Sequence, residues 1–311
     1  MPGKPFYILA LDGGGAKGVF TIGALKELEG VVGKPLHEQF DMIFGTSVGA
    51  IAASMIALGE PMPVVEAKYL KIIPKIMSPW FACCRTIALK SAAKAAFKEA
   101  RFDKFKTMVG LVAMNYETSK PLIFKSSKEQ AHGLGATFSG GFGCTIADAV
   151  VASCAAVPYF SKAHLVTDNQ GPVVLIDGGF VGNNPTLFAL VDALGPLKIE
   201  REDVRVVSIG VGSYRERPGW RQWCLEKLLP VEAVLAANTN TLEIVRKFLL
   251  KDVKVVRIDG AFADRKYETS LLETDPKVLK RLIALGRVKF GECEAEIRVL
   301  LEKPPTSRSP S

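Results

Sequence analysis

Apolar positions along this chain fall into short unbroken runs separated by glycine turns. Phe6 to Leu11 (FYILAL) is one such run, rich in β-formers and abruptly flanked, which predicts a buried strand. It stops at Asp12-Gly13-Gly14-Gly15, after which Val19 to Glu29 carries helical spacing. The pattern then recurs: Asp41 to Phe44 predicts a second strand, Gly45 to Gly49 a turn, and Val48 to Leu58 the next helix. Two strand–turn–helix units in succession predict an α/β chain with a parallel sheet and helices on its faces.

Four prolines (61, 63, 74, 79) break this rhythm between residues 60 and 108, where only Arg85 to Arg101 reads as a helix. Strands are predicted at Leu111 to Tyr116 and Leu122 to Lys125, paired around Glu117 to Lys120. A helix at Ile146 to Ala156, a strand at Val173 to Ile176 and a strand at Val204 to Ile209 follow. A long helix fits Val231 to Leu250, then a strand at Val253 to Ile258 and a last helix from Pro276 to Leu301. The expected organisation is a single domain over residues 6–301 with an inserted cap at 60–108, ending in a disordered proline-rich tail at 302–311.

Composition narrows the classes. Hydrophobic residues make up 48% of the 311 and charged residues 23%, enough for a sizeable core. The longest apolar stretch, Val48 to Gly59, is too short to cross a bilayer, and the N-terminus lacks the features of a signal peptide. Six cysteines without C-x-x-C spacing read as reduced, buried thiols of a cytosolic protein. His37, His132 and His164 stand in no catalytic or metal-ligand spacing, so neither a metal nor a cofactor is expected. The net charge of +8 favours an anionic partner without choosing one.

The glycine turns carry the chemistry. Gly13-x-Gly15-x-x-Gly18 fits a dinucleotide fingerprint in letters, but Asp12 beside it would oppose a pyrophosphate, and no acid ends the second strand. Consecutive glycines before a helix also expose backbone N–H groups that can stabilise an oxyanion. A nucleophile for that use stands in Gly45-Thr46-Ser47-Val48-Gly49, a G-x-S-x-G turn between strand and helix; a plain helix N-cap is the alternative. No histidine takes the place of a triad base. Asp177, ending its strand before Gly178-Gly179, can act as base directly if partly dehydrated, or is an ordinary turn aspartate.

These residues resemble the patatin-like phospholipase family. Asp12 to Gly18 is similar to its Asp-Gly-Gly-Gly-x-(Lys/Arg)-Gly loop, Gly45 to Gly49 to its nucleophile elbow, and Asp177-Gly178-Gly179 to its Asp-Gly-Gly motif. Ala152 to Phe160 resembles its Ala-Ser-x-Ala-Ala-Pro segment with Val157 inserted; Asn183-Asn184-Pro185 follows the acid as in the family, and Ser208 to Gly212 resembles its Ser-Leu-Gly-Thr-Gly strand end with two departures. The resemblance implies a three-layer α/β fold with a mostly parallel central sheet, helices on both faces, and metal-free hydrolysis of acyl esters by a Ser–Asp dyad. Ser47 would be nucleophile and Asp177 base. The N–H groups of Gly13, Gly14 and Gly15, with that of Val48, would form the oxyanion hole. Lys17 matches the family's basic position, either stabilising charge or packing its stem over the first helix.

GGFVGNNPTLFAL, SIGVGSY and the Trp220/Trp223 pair further resemble bacterial patatin-like lipases. Some of these are antiphage effectors switched on by a cyclic oligonucleotide. The partners implied are therefore a phospholipid membrane and an activating cyclic oligonucleotide, with neither DNA nor RNA polymer; a homo-oligomer is compatible with this. The implied setting is cytoplasmic, at the inner face of the membrane. A catalytically silent nucleotide-binding module and an acyltransferase on the same dyad are the alternatives.

The cap adds a membrane expectation. Lys90, Lys94, Lys98 and Arg101 recur at helical spacing and would form one basic stripe, and Trp80-Phe81 just upstream offers an apolar wedge. A solvated helix face with Trp80 and Phe81 in the core is the other reading, and such a face could also receive a nucleotide or another protomer.

Overall fold

Phe6–Leu11 forms the first strand, β1, and its side chains divide between two cores: Tyr7, Leu9 and Leu11 enter one, Ile8 the other. A strand with apolar residues on both faces belongs in the middle of a covered sheet. The computed structural model describes residues 4–130, 139–168, 170–215 and 230–302. The tail at 303–311, His132, Cys224 and the Trp220/Trp223 pair lie outside the described residues.

After β1 come α1 (Val19–Val32), α2 (Leu36–Gln39), β2 (Met42–Thr46), α3 (Val48–Ala57), α4 (Met62–Met77) and α5 (Ala82–Phe97). The hairpin β3 (Met108–Asn115) and β4 (Lys120–Lys125) follows, then β5 (Ser139–Gly141), α6 (Ile146–Ser153), β6 (Ala163–Thr167) and β7 (Gly171–Asp177). The chain continues through α7 (Gly179–Gly182), α8 (Thr186–Leu194), β8 (Val204–Ile209), β9 (Ser213–Tyr214) and α9 (Val231–Leu249). It closes with β10 (Lys254–Ile258), β11 (Ala261–Phe262) and α10 (Pro276–Leu301).

The main sheet runs β10-β8-β1-β2-β3-β4-β5, with β7 on β3 and β6 on β7. The pairs β10–β8, β8–β1, β1–β2 and β2–β3 are parallel, while β3–β4, β3–β7 and β7–β6 are antiparallel. Ile43, Val207 and Ile209 join the first core with α1, α3, α4 and α10; Met42, Phe44, Val204 and Val206 join the second with α8. Helices therefore cover both faces, as the three-layer reading expects. The α1–α10 crossing is close because a β-carbon at Gly23 would stand 2.1 Å from the Ile283 carbonyl oxygen, and one at Gly286 2.0 Å from that of Phe20.

The proline-rich stretch departs from expectation. Residues 62–77 are helical, with one proline in the first turn, where its missing N–H costs little, and Pro74 near the end. The next helix begins earlier and ends earlier than Arg85 to Arg101: α5 stops at Phe97, and Lys98 caps it with φ of 53°. Helix α8 and strand β6 were also not expected from the sequence pattern.

Candidate active site

β3 brings the two glycine turns together. Strand β2 pairs with it up to Thr46–Val112, and β7 takes over the same edge with Asp177 opposite Ala113. The end of each strand thus falls one residue apart along β3, although Ser47 and Asp177 are 130 residues apart in sequence. The Ser47 hydroxyl donates to Asp177 Oδ2 at 2.7 Å, and the Gly179 N–H donates to Asp177 Oδ1 at 2.7 Å.

The elbow needs its sequence. Ser47 holds φ 53° and ψ −124°, a conformation costly for a residue with a β-carbon and kept only where surrounding structure enforces it. A β-carbon at Gly45 would lie 2.5 Å from the Gly49 carbonyl oxygen, and one at Gly49 2.4 Å from that of Leu11. The flanking glycines therefore let α3 pass against its own strand and β1. Every residue of α3 is buried, and the Tyr69 hydroxyl on α4 donates to the Val48 carbonyl at 2.6 Å, tying α4 to the helix behind the nucleophile.

Asp177 is 2% exposed. Burial pushes its carboxyl up to about 6, while the Ser47 hydroxyl and Gly179 N–H act in the opposite sense. The carboxylate is therefore ionised at neutral pH yet more basic than an ordinary one. Val48, Ile51, Ile73, Ile76, Met77 and Leu89 give the adjoining cavity an apolar wall, and Gly14, Gly15, Ser47 and Asp177 lie on it too. Its free space is about 40 Å³, far below the roughly 300 Å³ at which ligand pockets begin.

The glycine loop departs from expectation at one position. The Gly13 N–H donates to the Asn183 carbonyl at 3.0 Å, so it is committed to holding the loop and not directed at an oxyanion. Gly14 and Gly15 line the cavity with Ser47, and Val48 opens α3 beside them. The Lys17 ammonium forms a buried ion pair with Glu232 of α9 and is committed there. Asp12 is likewise accounted for, since Arg257 of β10 grips both its oxygens at 2.8 and 2.6 Å and also bonds Ser208 and Asp259. Burial still pushes Asp12 up to about 7 against the pull of Arg257.

Sequence reasoning gave no role to Ser153, Tyr69 or Arg257. Ser153 stands inside the Ala152 to Phe160 segment, and Arg257 is a lone charge in an apolar strand, a signal in itself. His37 and His164 do not join the dyad: His37 is at the chain's α2 turn and His164 is exposed on β6.

The cap residues sort differently from the expected stripe. Lys90 and Lys94 lie on α5, Lys98 caps it, and Arg101 lies beyond and donates to the Gly143 carbonyl at 3.0 Å. Because the helix ends at Phe97, the four do not share one helical face. Lys90, Lys94 and Lys98 instead line a groove with His164 and Thr145. Trp80 and Phe81, in the connection between α4 and α5, are 55% and 65% exposed and not in the core. Cys83 and Cys84 are also exposed, against the expectation of buried thiols, because they occupy the solvent side of the first turn of α5. Among the described residues, no group of three His, Cys, Asp or Glu is placed to hold a metal, and no helix is long and apolar enough to cross a membrane.

Comparison with known proteins agrees with this geometry. The profile described as patatin-like phospholipase matches residues 9–190. The chain belongs to the patatin-like phospholipase family. A cUMP-AMP-activated phospholipase of Escherichia coli is 44% identical over 298 residues, covering 94% of this chain and 93% of its own. A cGAMP-activated phospholipase of Pseudomonas aeruginosa is 32% identical over 225 residues, 68% of this chain and 64% of its own. In fold, the chain resembles the crystal structure of VipD from Legionella pneumophila, with a TM-score of 0.50 at 14% identity over 95% of this chain and 67% of that one. The patatin-like resemblance read from the motifs holds.

Proposed function

We propose that this protein is a serine acyl hydrolase that releases fatty acid from membrane phospholipids and is switched on by a cyclic oligonucleotide, as an antiphage effector. The observation that carries the reading is the 2.7 Å contact from the Ser47 hydroxyl to the Asp177 carboxylate inside an apolar cavity. Asp177, at about 6, takes the Ser47 proton as Oγ attacks the ester carbonyl. The N–H groups of Gly14, Gly15 and Val48 receive the oxyanion, and Asp177 returns the proton to the leaving lysolipid oxygen. Water then cleaves the acyl-enzyme by the same route in reverse.

Regulation by a cyclic nucleotide rests on the E. coli and P. aeruginosa relatives, whose names give cUMP-AMP and cGAMP as activators. The small cavity fits this reading: free space of about 40 Å³ is too little for an acyl chain, so activation would widen the cavity before a lipid enters. On this reading the protein works at the cytoplasmic face of a membrane, meeting it through Trp80 and Phe81 at the junction of those two helices, with Lys90, Lys94, Lys98 and Arg101 alongside.

The test is fatty-acid release from anionic liposomes, followed by mass spectrometry, with and without cyclic UMP–AMP and cyclic GMP–AMP. Wild type with one of these nucleotides should release fatty acid, and Ser47→Ala should not. A fluorophosphonate should label wild type but not Ser47→Ala. Absence of label on Ser47 in the presence of every nucleotide tried sinks the hydrolase reading.

A further inference from the structure

Asn183 carries a buried amide oxygen with no hydrogen-bond donor among the described residues, although the residue is only 7% exposed. Buried polar atoms are nearly always paired, so an orphan beside a reacting centre asks for an explanation.

Asn183 Nδ2 donates to the Thr239 hydroxyl at 2.9 Å, and that hydroxyl donates to the Leu235 carbonyl at 3.1 Å. That holds the NH₂ group toward α9 and turns Oδ1 the other way. A β-carbon at Gly13 would stand 2.5 Å from Asn183 Oδ1 and 3.2 Å from Ser47 Cβ. One at Gly179 would stand 3.1 Å from Asn183 Oδ1 and 3.0 Å from Asp177 Oδ1. The amide oxygen therefore lies between the glycine loop, the nucleophile and the base, where two glycines leave room. The main chain of Asn183 is occupied separately: its carbonyl accepts from Gly13 and its N–H donates to Asn238 Oδ1 at 2.9 Å.

We propose that Asn183 is a catalytic residue of the second half-reaction, its Oδ1 accepting one hydrogen of the water that attacks the acyl-enzyme. The inference rests on the reading of Ser47 and Asp177 as nucleophile and base. Water has two hydrogens to place. As its oxygen bonds to the acyl carbon, one proton passes to the Asp177 carboxylate, and the other O–H stays bonded to Asn183 Oδ1. When the intermediate collapses, the carbon–Oγ bond breaks, Asp177 returns the proton to Ser47 Oγ, and the free fatty acid leaves. In the first half-reaction the serine hydroxyl has one hydrogen only, given to Asp177, so Asn183 has nothing to accept there.

An alcohol attacking in place of water also has a single hydroxyl hydrogen. Asn183→Leu, which removes the acceptor without adding charge, should thus slow hydrolysis but spare methanolysis. With a p-nitrophenyl ester and the activated full-length protein, wild type should give a burst equal to its Ser47 content. Asn183→Leu should keep the burst rate within about threefold while steady-state turnover falls about 10- to 100-fold. With methanol added, its ratio of methyl ester to free acid should rise at least fivefold over wild type. Asn183→Asp, which restores an oxygen acceptor, should return that ratio toward wild type. A burst that slows in step with turnover, or an unchanged product ratio, overturns the proposal in favour of a purely structural amide. If wild type itself gives neither burst nor Ser47 acylation, the failure belongs to the dyad reading.

Discussion

The Ser47 N–H donates to the Ser153 hydroxyl at 2.8 Å, and that hydroxyl donates to the Val112 carbonyl at 2.6 Å. Ser153 ends α6, so one side chain ties the nucleophile's strained turn both to that helix and to the strand that aligns the dyad. The Ser153 and Ala155 carbonyls also accept the Gly178 and Asp177 N–H groups. The segment thus braces Ser47 and Asp177 at once.

Ser153→Ala should therefore lower both stability and catalysis. The Ser47 N–H and the Val112 carbonyl each lose a partner, at a cost of about 1–3 kcal/mol apiece. Displacement of the elbow should lower kcat/KM by about 100-fold. Thermal unfolding and ester hydrolysis measured on one preparation check both effects. Unchanged kcat/KM would show that Gly45 and Gly49 hold the turn unaided.

Asp177 sets the pH dependence. Protonation removes the base, and the carboxyl titrates at about 6 in the free enzyme. The kcat/KM for a soluble ester should be level above about pH 7 and fall tenfold per unit below about pH 5.5. A profile that stays level down to pH 5 would place the titration of the base well below 6.

The same carboxylate works against the fold. Its folded value of about 6 lies above the ordinary 3.8, so the native state binds the proton more tightly than the unfolded chain. Stability therefore falls as pH rises from about 4 to 6, and the loss persists at pH 8. Asp177→Asn keeps a carbonyl acceptor for the Gly179 N–H and removes the charge. It should be inactive yet more stable than wild type at pH 8 by about 2–3 kcal/mol. The advantage should vanish near pH 4, as denaturant midpoints at the two pH values would reveal.

Both members of the dyad were legible because each is announced by its own neighbours: an apolar strand, a polar residue and glycines that permit a close turn. What brings them together was not legible, since it depends on β7 docking antiparallel on β3 where β2 stops, a pairing set by tertiary contacts. Arg257 shows the same limit. Only the strand order β10-β8-β1 puts a charge from KVVRI within reach of Asp12. The prolines misled in the opposite direction. Pro63 in a first turn and Pro74 close to the C-terminal end of α4 are both tolerated by a helix whose Val65, Tyr69, Ile73 and Ile76 face the core. The motif alone places the Gly13 N–H at the oxyanion, and only the fold reveals that the Asn183 carbonyl already takes it.

The proposed membrane contact can be tested in a way that separates its two kinds of residue. Trp80 and Phe81 are exposed in the connection between two cavity-lining helices, where the proposed membrane contact would lie. Burying an aromatic side chain in the interface is favourable and weakly dependent on salt, whereas attraction of lysines to anionic lipid fades within a Debye length. Replacing Trp80 and Phe81 with Ser should cut binding to anionic liposomes at least tenfold at both 50 mM and 500 mM salt. Replacing Lys90, Lys94 and Lys98 with Glu should weaken binding at 50 mM salt and make little difference at 500 mM. Hydrolysis of a soluble short-chain ester by the activated protein should survive in both variants, because none of the five residues lines the cavity that holds Ser47 and Asp177. Liposome binding that is unchanged in the Trp80 and Phe81 variant would remove the wedge from the membrane contact.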